Sequence, residues 1–412
     1  MKRIFSFILL VKFVAVIFSK FKIKKANNNY NFCFKSWDKV KYIDDLDCIY
    51  KCSPLFENDI KLEGNFLDDF FAQNDFLTIK DSGFFCYISK NVMLYPGLSE
   101  IIYTQNGIYL TRESQHKDSY NSQEFSGLME FDSTFEYARI KSDVRVKYVD
   151  YINSGIDLTH CINNYWHVLV EIAPKAILAN VLNIPFEIPL LLPDNLHNNF
   201  LDLIKSVCGK RDIIFVHGYN SNDNFFPLIK VKNLYSINNY YSWIFHPRNN
   251  IFENPMCSEI SLAPLRLTIN SVLDYYKITP HPNKEIKLVL VRNSGHRVSS
   301  SQNKLVELAL GRGYIIFEPE KMSFEEQIRL TSRASSIVGF FGAALSNTFF
   351  MHSRAKKILI GNPGFYSVAS FWNATLQNAY ILKNDVISDD SDGIHSEPVL
   401  SEQNWLMLDK IL

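Results

Sequence analysis

The chain has 412 residues, which at roughly 150 residues per domain predicts two to three domains. Hydrophobic residues make up 47% and charged residues 21%, so wholesale disorder and fibrous repeats are excluded. Basic and acidic side chains number 43 each, and this balance indicates no domain-sized basic surface for nucleic acid.

The charge is distributed unevenly, because residues 1–25 hold seven basic side chains and no acid, whereas residues 385–412 hold seven acids and one lysine. The N-terminal segment is mostly apolar over residues 4–18, with one lysine inside, and this run is shorter than the roughly 20 residues of a spanning helix. A helix here would align its lysines along one side, which is typical of a segment that lies on an anionic membrane surface. A helix docked on the protein's own core and an uncleaved signal-anchor are the alternatives.

The seven cysteines are scattered, without CxxC pairs or a histidine cluster at zinc spacing. We therefore predict reduced thiols in a cytosolic protein. DxD triplets at 45–47 and 390–392 match a pattern of metal-using transferases, but acid-rich loops produce such matches by chance. No metal site and no bound cofactor are predicted.

Short β patterns begin after residue 83, over 84–95 and 100–111, and the Asn106-Gly107 pair in the second predicts a type I′ hairpin. Helical spacing follows over 164–182, where Pro174 predicts a kink or a break. A strand at 189–193, a helix at 198–209 and a strand at 212–218 then predict a parallel sheet.

The second half alternates more regularly between the two patterns. Strands are predicted at 287–293, 314–320, 335–340 and 356–362, and helices at 303–313, 323–334, 342–353 and 367–377. This alternation predicts a doubly wound α/β domain, with ligands beyond the C-terminal ends of its strands. An acidic linker at 385–397 and a short terminal helix containing Trp405 end the chain.

Two arginines follow the first strand of this second half. Arg292 and Arg297 lie on one loop, with Gly295 between them. Paired guanidinium groups at a strand end suit a diphosphate, which needs both charge and forked donors. The alternative is two solvated loop arginines.

Two other strand ends carry candidate groups. The turn at 339–347 passes from strand to helix through glycines, and Gly342 allows close approach of an anion to the start of the helix. Ser346 and Asn347 lie one turn into that helix. Tight helix–strand packing is the alternative reading of these small residues. Glu318 follows another buried strand and could accept hydrogen bonds from a ribose, or could instead cap the next helix.

In the first half, His167 and Glu171 are four residues apart and would share one helix face. A carboxylate beside an imidazole orients it and raises its basicity, as a general base for a sugar hydroxyl requires. A purely structural role for the histidine is the alternative.

Together these segments resemble the family 61 glycosyltransferases, a group often labelled with bacterial capsular polysaccharide synthesis that also includes plant xylosyltransferases and animal O-linked N-acetylglucosamine transferases. The resemblance extends in order from about residue 83 to 385. It comprises the β-hairpin region, N-Y-W-H-x-L-V-E-x-x-P (164–174), the two arginines, E-P-E-x-x-S-F-E-E-Q (318–327) and G-x-x-G-A-A-L-S-N (339–347).

The resemblance implies a GT-B architecture, in which two Rossmann-like domains face a cleft. The nucleotide-sugar donor would be held mainly by the C-terminal domain, and the acceptor would enter from the N-terminal one. It also implies transfer with inversion and without an obligatory metal, so that arginines and helix-end N–H groups carry the charge of the leaving diphosphate.

The resemblance also suggests roles for particular residues. His167 matches the histidine of the family's N-terminal helix, and Glu171 stands where an aspartate is usual. The donor would be bound by residues of the C-terminal half, namely Arg292, Arg297, Glu318, Gly342, Ala343, Ser346 and Asn347. Two departures remove polar groups from this side, since Phe341 replaces a common histidine and Ser300 or Ser301 stands in place of an asparagine.

We therefore predict four parts: a basic apolar segment (1–25), an acceptor-side domain with an N-terminal β-hairpin region (26–270), a nucleotide-sugar-binding domain (271–384) and an acidic linker with a terminal helix (385–412). The predicted function is an inverting hexosyl- or pentosyltransferase of capsule or other surface polysaccharide synthesis. It would be cytoplasmic and peripheral at the inner face of the membrane, with a saccharide or lipid-linked glycan as acceptor. The alternatives are a catalytically inactive scaffold in a glycan-assembly complex, suggested by Phe341, and a nucleotide-sugar epimerase.

Overall fold

The computed structural model describes residues 84–94, 96, 145–159, 164–218, 225–238, 262–293, 301–361, 379–383, 385–386 and 398–412, together with several short strands in the first 140 residues. The basic segment 1–25, Arg297, the predicted helix at 367–377 and most of the acidic linker lie outside these residues. The predictions made for them stay predictions.

The strands, in chain order, are β1 (Asp38–Tyr42), β2 (Cys48–Cys52), β3 (Ile60–Lys61), β4 (Asn65–Phe66), β5 (Thr78–Ile79), β6 (Phe84–Leu94), β7 (Ile101–Thr104), β8 (Gly107–Leu110), β9 (Met129–Phe131), β10 (Tyr137–Ile140), β11 (Val146–Asp157), β12 (Leu190–Pro193), β13 (Ile213–Val216), β14 (Phe226–Asn238), β15 (Asn283–Leu290), β16 (Ile315–Phe317), β17 (Ala334–Phe340), β18 (Lys356–Gly361), β19 (Ala379–Lys383), β20 (Asp385–Val386) and β21 (Pro398–Val399).

Helix α1 has three consecutive parts, an α-helical turn (Tyr165–His167), a π-helical stretch (Val168–Ile172) and an α-helix (Ala173–Val181). The other α-helices are α2 (Asn198–Cys208), α3 (Leu262–Tyr275), α4 (Gln302–Gly311), α5 (Phe324–Thr331) and α6 (Glu402–Ile411). Two 3₁₀ helices, Pro319–Lys321 and Ala343–Phe350, follow β16 and β17.

The larger sheet combines a parallel part with an antiparallel extension. Its order is β13-β12-β11-β14-β6-β7-β8-β1-β10-β9, and β2 pairs with β6 off this path. The four strands from β13 to β14 are mutually parallel, whereas β6 pairs antiparallel with β14. The pairing of β11 with β14 shifts register between Tyr148 and Asp150, an irregularity of the kind that bends long strands.

The smaller sheet has six strands in the order β16-β15-β17-β18-β19-β4, and all its pairings are parallel. Its five C-terminal strands are therefore arranged 2-1-3-4-5 in chain order, one of the common orders of doubly wound folds. The strand pairs β3–β5 and β20–β21 stand apart from both sheets.

The main apolar core joins the two sheets. It contains side chains of the larger sheet, such as Ile156 and Leu190, and side chains of the smaller one, such as Leu288 and Ile337. Helices α1, α2, α3 and α5 fill the space between them with buried apolar side chains. The other face of the smaller sheet is covered by α4 and α6, whose Leu305 and Trp405 lie in a second cluster.

A mixed α/β fold with parallel sheets is compatible with the prediction, although three local features differ. Gly107 pairs with Thr104 as the first residue of β8, instead of occupying the turn. The helix predicted from Gly342 is a 3₁₀ helix in the described range 343–350. The disturbance expected at Pro174 is a π-helical stretch that ends two residues before it. The predicted boundary at residue 270 falls inside α3, and the division into domains stays a prediction.

Helices in the described part of the chain are all too short or too polar to cross a membrane.

Candidate functional site

The site begins at the point of the smaller sheet where the chain reverses direction. From β15 the chain moves to β16 on one side and then returns to β17 on the other. Connections that leave neighbouring strands in opposite directions open a crevice at the carboxyl ends of these strands, where ligands of doubly wound sheets bind. Arg292 follows β15 and Gly342 follows β17. Two of the residues predicted from sequence are thus brought together at this crevice.

Arg292 lies directly against Gly342. A Cβ atom added at residue 342 would be 2.6 Å from the Nη1 atom of Arg292, so only glycine allows this approach. The Nη1 atom is buried and has no hydrogen-bond partner among the residues that the structure describes. Burial lowers the pKa of the guanidinium, which the charge of Glu320 opposes. A buried cationic donor without a partner is suited to receive an anion.

The backbone of Arg292 is held by a side chain that the sequence analysis did not single out. Gln302, the first residue of α4, accepts a hydrogen bond from the Arg292 N–H at 2.9 Å and donates one to the Arg292 carbonyl at 3.0 Å. These two hydrogen bonds to the backbone of one residue fix the end of β15 relative to the start of α4. Gln302 therefore positions Arg292, although it is not one of the site residues predicted from the sequence.

The 3₁₀ helix after Gly342 carries three of the predicted residues. Ala343 is its first residue, and Ser346 and Asn347 are fully buried within it. The Oγ atom of Ser346, like Nη1 of Arg292, has no hydrogen-bond partner in the described part of the chain. The start of this helix also presents backbone N–H groups, which favour negative charge.

Asn347 links the smaller sheet to the helices of the larger one. Its Oδ1 atom accepts a hydrogen bond from the Tyr165 hydroxyl at 3.1 Å, and its Nδ2 group donates to Oε1 of Gln327 at 3.1 Å and to the Ala344 carbonyl at 3.0 Å. Gln327 in turn donates to the Pro319 carbonyl at 2.9 Å. Asn347 thus joins the loops after three strands, and its predicted contact with the donor stays a prediction.

Glu318 lies on the next strand end. Its Oε1 atom accepts hydrogen bonds from Lys321 at 2.8 Å and from Asn293 at 2.7 Å, and these bonds lower the pKa of the carboxyl. The side chain makes no capping hydrogen bond to the 3₁₀ helix that follows. Helix α5 is capped instead by Ser323 and Glu326. Glu318 therefore remains an ionised carboxylate at the crevice.

His167 and Glu171 form the pair that their spacing predicts. Nδ1 of His167 and Oε1 of Glu171 are 2.7 Å apart, and their side chains are 34% and 20% exposed. Glu171 lies in the π-helical stretch, in which each hydrogen bond spans one more residue than in an α-helix. Pro174, which has no N–H, follows this stretch. The imidazole is thus oriented by a carboxylate and reachable from solvent.

The carboxyl ends of the two sheets approach each other around these groups. Tyr165, which follows β11, binds Asn347, which follows β17. Asn199, near the start of α2 after β12, donates to the Met322 carbonyl beyond β16 at 3.0 Å. The helix that carries His167 therefore begins beside the crevice that contains Arg292.

Phe341, which replaces the family's common histidine, is buried against the next strand. Its N–H donates to the Ile360 carbonyl at 2.7 Å, and a Cβ atom at residue 361 would lie 2.0 Å from its ring. The ring therefore fills the space over Gly361 and is 6% exposed. No group of three or more potential metal ligands occurs among the described residues.

Comparison with known proteins adds one match. The model of the family described as Glycosyltransferase 61 matches residues 165–358. This range includes all the predicted site residues, from His167 to Asn347. No curated protein matches the chain. The family match supports the resemblance to family 61 and suggests glycosyltransferase activity. Such activity in general implies a nucleotide-sugar donor and a glycan acceptor.

Proposed function

We propose that the protein is an inverting glycosyltransferase of family 61 that moves a sugar from a nucleotide-sugar donor to a glycan acceptor. The observation that carries the proposal is the buried Nη1 atom of Arg292, which lies against Gly342 at the crevice beyond β15 and β17 and has no hydrogen-bond partner among the described residues. A donor diphosphate would supply the missing anion. An inactive scaffold, the alternative suggested by Phe341, is not favoured by the family match.

On the donor side, Arg292 would bind the diphosphate with its forked donors. Ser346 would add its hydroxyl, and the N–H groups beginning at Ala343 would face the same charge. Arg297, predicted from sequence, would contribute a second guanidinium. Positive charge on protein groups would then stabilise the leaving nucleoside diphosphate without an obligatory metal. Glu318 would accept hydrogen bonds from the ribose.

On the acceptor side, His167 would take the proton of the attacking hydroxyl, and Glu171 would orient and stabilise the imidazolium. The acceptor oxygen would form its bond to the anomeric carbon as the bond to the diphosphate breaks. Attack from the face opposite the leaving group inverts the configuration of that carbon. The approach of the two carboxyl edges supports a GT-B arrangement in which both substrates meet between the sheets.

The wider setting is also proposed. The basic N-terminal segment supports a peripheral location at an anionic membrane, on its cytoplasmic face. A lipid-linked or other saccharide acceptor in capsule or surface polysaccharide synthesis fits that location.

The test is a titration of the purified protein with UDP, GDP and CDP and with their common sugar conjugates, followed by mass spectrometry of products. We expect Arg292→Ala to abolish nucleotide binding. Arg312→Ala is the matched control, because this exposed arginine pairs with Asp409 on the far side of α4 and should leave binding unchanged. Nucleotide affinity equal to that of the wild type in Arg292→Ala, or no nucleotide binding in the wild type, would refute the proposal.

A further inference from the structure

An amide and a carboxylate meet where two neighbouring strands of the smaller sheet end. Asn293 lies shortly after β15, and Glu318 directly follows β16. The Nδ2 group of Asn293 donates a hydrogen bond to Oε1 of Glu318 at 2.7 Å, and Lys321 donates to the same oxygen at 2.8 Å. Two donors thus engage one oxygen of the carboxylate and hold its side chain in place.

Both side chains keep an oxygen atom that can accept a further hydrogen bond. An ionised carboxylate only accepts hydrogen bonds, so the amide nitrogen of Asn293 must face Glu318. The Oδ1 atom of Asn293 and the Oε2 atom of Glu318 make no hydrogen bond within the part of the chain that the structure describes. Asn293 is exposed and the side chain of Glu318 is 27% exposed, so a ligand can reach them.

The two side chains lie beside the proposed diphosphate site. Strand β15 stands between β16 and β17, so Glu318, Arg292 and Gly342 follow three adjacent strands. Adjacent strands are about 4.8 Å apart. A nucleoside diphosphate with its phosphates against Arg292 can therefore extend its ribose by one strand toward Glu318. In doubly wound folds, a carboxylate on the nucleoside side of the phosphate site can hydrogen-bond a ribose hydroxyl.

Resting on the proposed function, we propose that Asn293 and Glu318 together bind the 2′- and 3′-hydroxyls of the donor nucleoside. The donor is then a sugar conjugate of a ribonucleotide, and conjugates of 2′-deoxyribonucleotides bind weakly. The two hydroxyls are neighbouring donors, and the free oxygens of Asn293 and Glu318 are neighbouring acceptors. Asn293 directly follows Arg292, so it takes the 3′-hydroxyl, which is the nearer of the two to the diphosphate. Glu318, on the outer strand, takes the 2′-hydroxyl.

The charge of Glu318 makes the 2′ contact the more selective of the two. The hydrogen bonds from Lys321 and Asn293 lower the pKa of the carboxyl, which is therefore ionised at neutral pH. A hydrogen bond to a charged group contributes more than one to a neutral amide. Loss of the 2′-hydroxyl should therefore weaken nucleotide binding by roughly 10- to 100-fold, and loss of the 3′-hydroxyl by roughly 3- to 10-fold.

The test is calorimetric titration of the full-length protein with UDP, GDP and CDP and with the 2′-deoxy and 3′-deoxy forms of each. We expect Glu318→Ala to abolish the preference for the ribonucleotide over its 2′-deoxy form. Asn293→Ala should abolish the preference over the 3′-deoxy form. Glu402→Ala and Asn270→Ala, at exposed residues of α6 and α3, are the matched controls and should keep both preferences. Each preference compares two ligands of one protein, so a general loss of stability does not imitate the result.

Two results would overturn the proposal: equal affinity of the wild type for a ribonucleotide and its 2′-deoxy form, or preferences that Glu318→Ala and Asn293→Ala both leave unchanged. The dependence of binding on Arg292 separates this inference from the proposed function. Nucleotide binding that Arg292→Ala abolishes, without any preference between ribose and deoxyribose, would leave the proposed function standing and remove the ribose site. No nucleotide binding in the wild type would refute both.

Discussion

Arg292 is a charged side chain whose Nη1 donor is buried and has no hydrogen-bond partner within the described residues. Leaving a buried donor unsatisfied is unfavourable by about 1–3 kcal/mol, and this is tolerated at sites that bind an anion. The position could be predicted from sequence, because an arginine after a buried strand of an α/β pattern points to the strand's carboxyl end. The burial of this side chain could not be predicted, since it depends on Gly342, which follows a different strand.

Replacing Arg292 by Met should therefore separate stability from binding. We expect Arg292→Met to raise the free energy of unfolding by about 1 kcal/mol, because methionine fills similar space without an unsatisfied donor. Nucleotide binding should be lost in the same variant. Urea denaturation and titration with UDP check the two effects. Arg312→Met should change neither by a measurable amount, and a large destabilisation in Arg292→Met would show that the guanidinium is paired in the folded protein.

Lys357 is a second buried cation, and its role is structural. The side chain is 1% exposed and donates to the His352 and Ser353 carbonyls, while burial lowers its pKa from 10.5 to about 8. Between these pH values the unfolded chain holds the proton and the folded chain does not. Raising the pH through this window therefore stabilises the folded state.

We expect the stability of the wild type to rise relative to Lys357→Met as the pH increases from about 8 to about 10. The full shift corresponds to roughly 3 kcal/mol, at about 1.4 kcal/mol for each pKa unit. Chemical denaturation of both proteins across this range measures the difference. A constant difference would mean that Lys357 keeps its ordinary pKa when folded.

Gln302 holds the end of β15 at the start of α4, and this link, called the clamp below, decides where Arg292 points. Gln302 makes two hydrogen bonds to the Arg292 backbone, and each contributes about 1 kcal/mol. We expect Gln302→Ala to weaken nucleotide binding by about 10-fold and to lower the free energy of unfolding by about 1–2 kcal/mol. Gln302→Glu keeps the hydrogen-bond acceptor and loses the donor. Its nucleotide affinity and its free energy of unfolding should therefore lie between those of the wild type and those of Gln302→Ala. UDP titration that shows no weakening in Gln302→Ala would mean that the loop needs no clamp.

The sequence could not identify this clamp, although it predicted both elements that the clamp joins. Glutamine at the first turn of a helix is common, and its role arises only when the strand end lies beside that turn. Helix α1 illustrates the same limit. Pro174 predicted a disturbance, but the three-part helix with a π-helical stretch over Val168–Ile172 depends on tertiary packing, which no local pattern encodes.

At the scale of the molecule, the regular alternation after residue 287 predicted four strands of the smaller sheet, β15 to β18, but did not predict β19. Strands β11 and β14 of the larger sheet were not predicted, because they are long, partly polar and paired across about 80 residues. The pairing of β4 with β19 joins parts of the chain more than 300 residues apart. Such pairings depend on closure of long loops and leave no local signal.

The two sheets share one apolar core, so we expect them to unfold together. Tyr165→Phe removes the hydrogen bond to Asn347 and leaves a buried acceptor, which should lower the free energy of unfolding by about 1–2 kcal/mol in a single transition.

Tyr314→Phe is the matched control, because its hydroxyl bonds to Ser336 within the smaller sheet. Both variants should be destabilised, but only Tyr165→Phe should also weaken UDP binding, since Asn347 belongs to the turn that begins at Gly342. Calorimetry that resolves two transitions would contradict the shared core, and equal UDP affinity in both variants would show that the link across the sheets does not position the donor side.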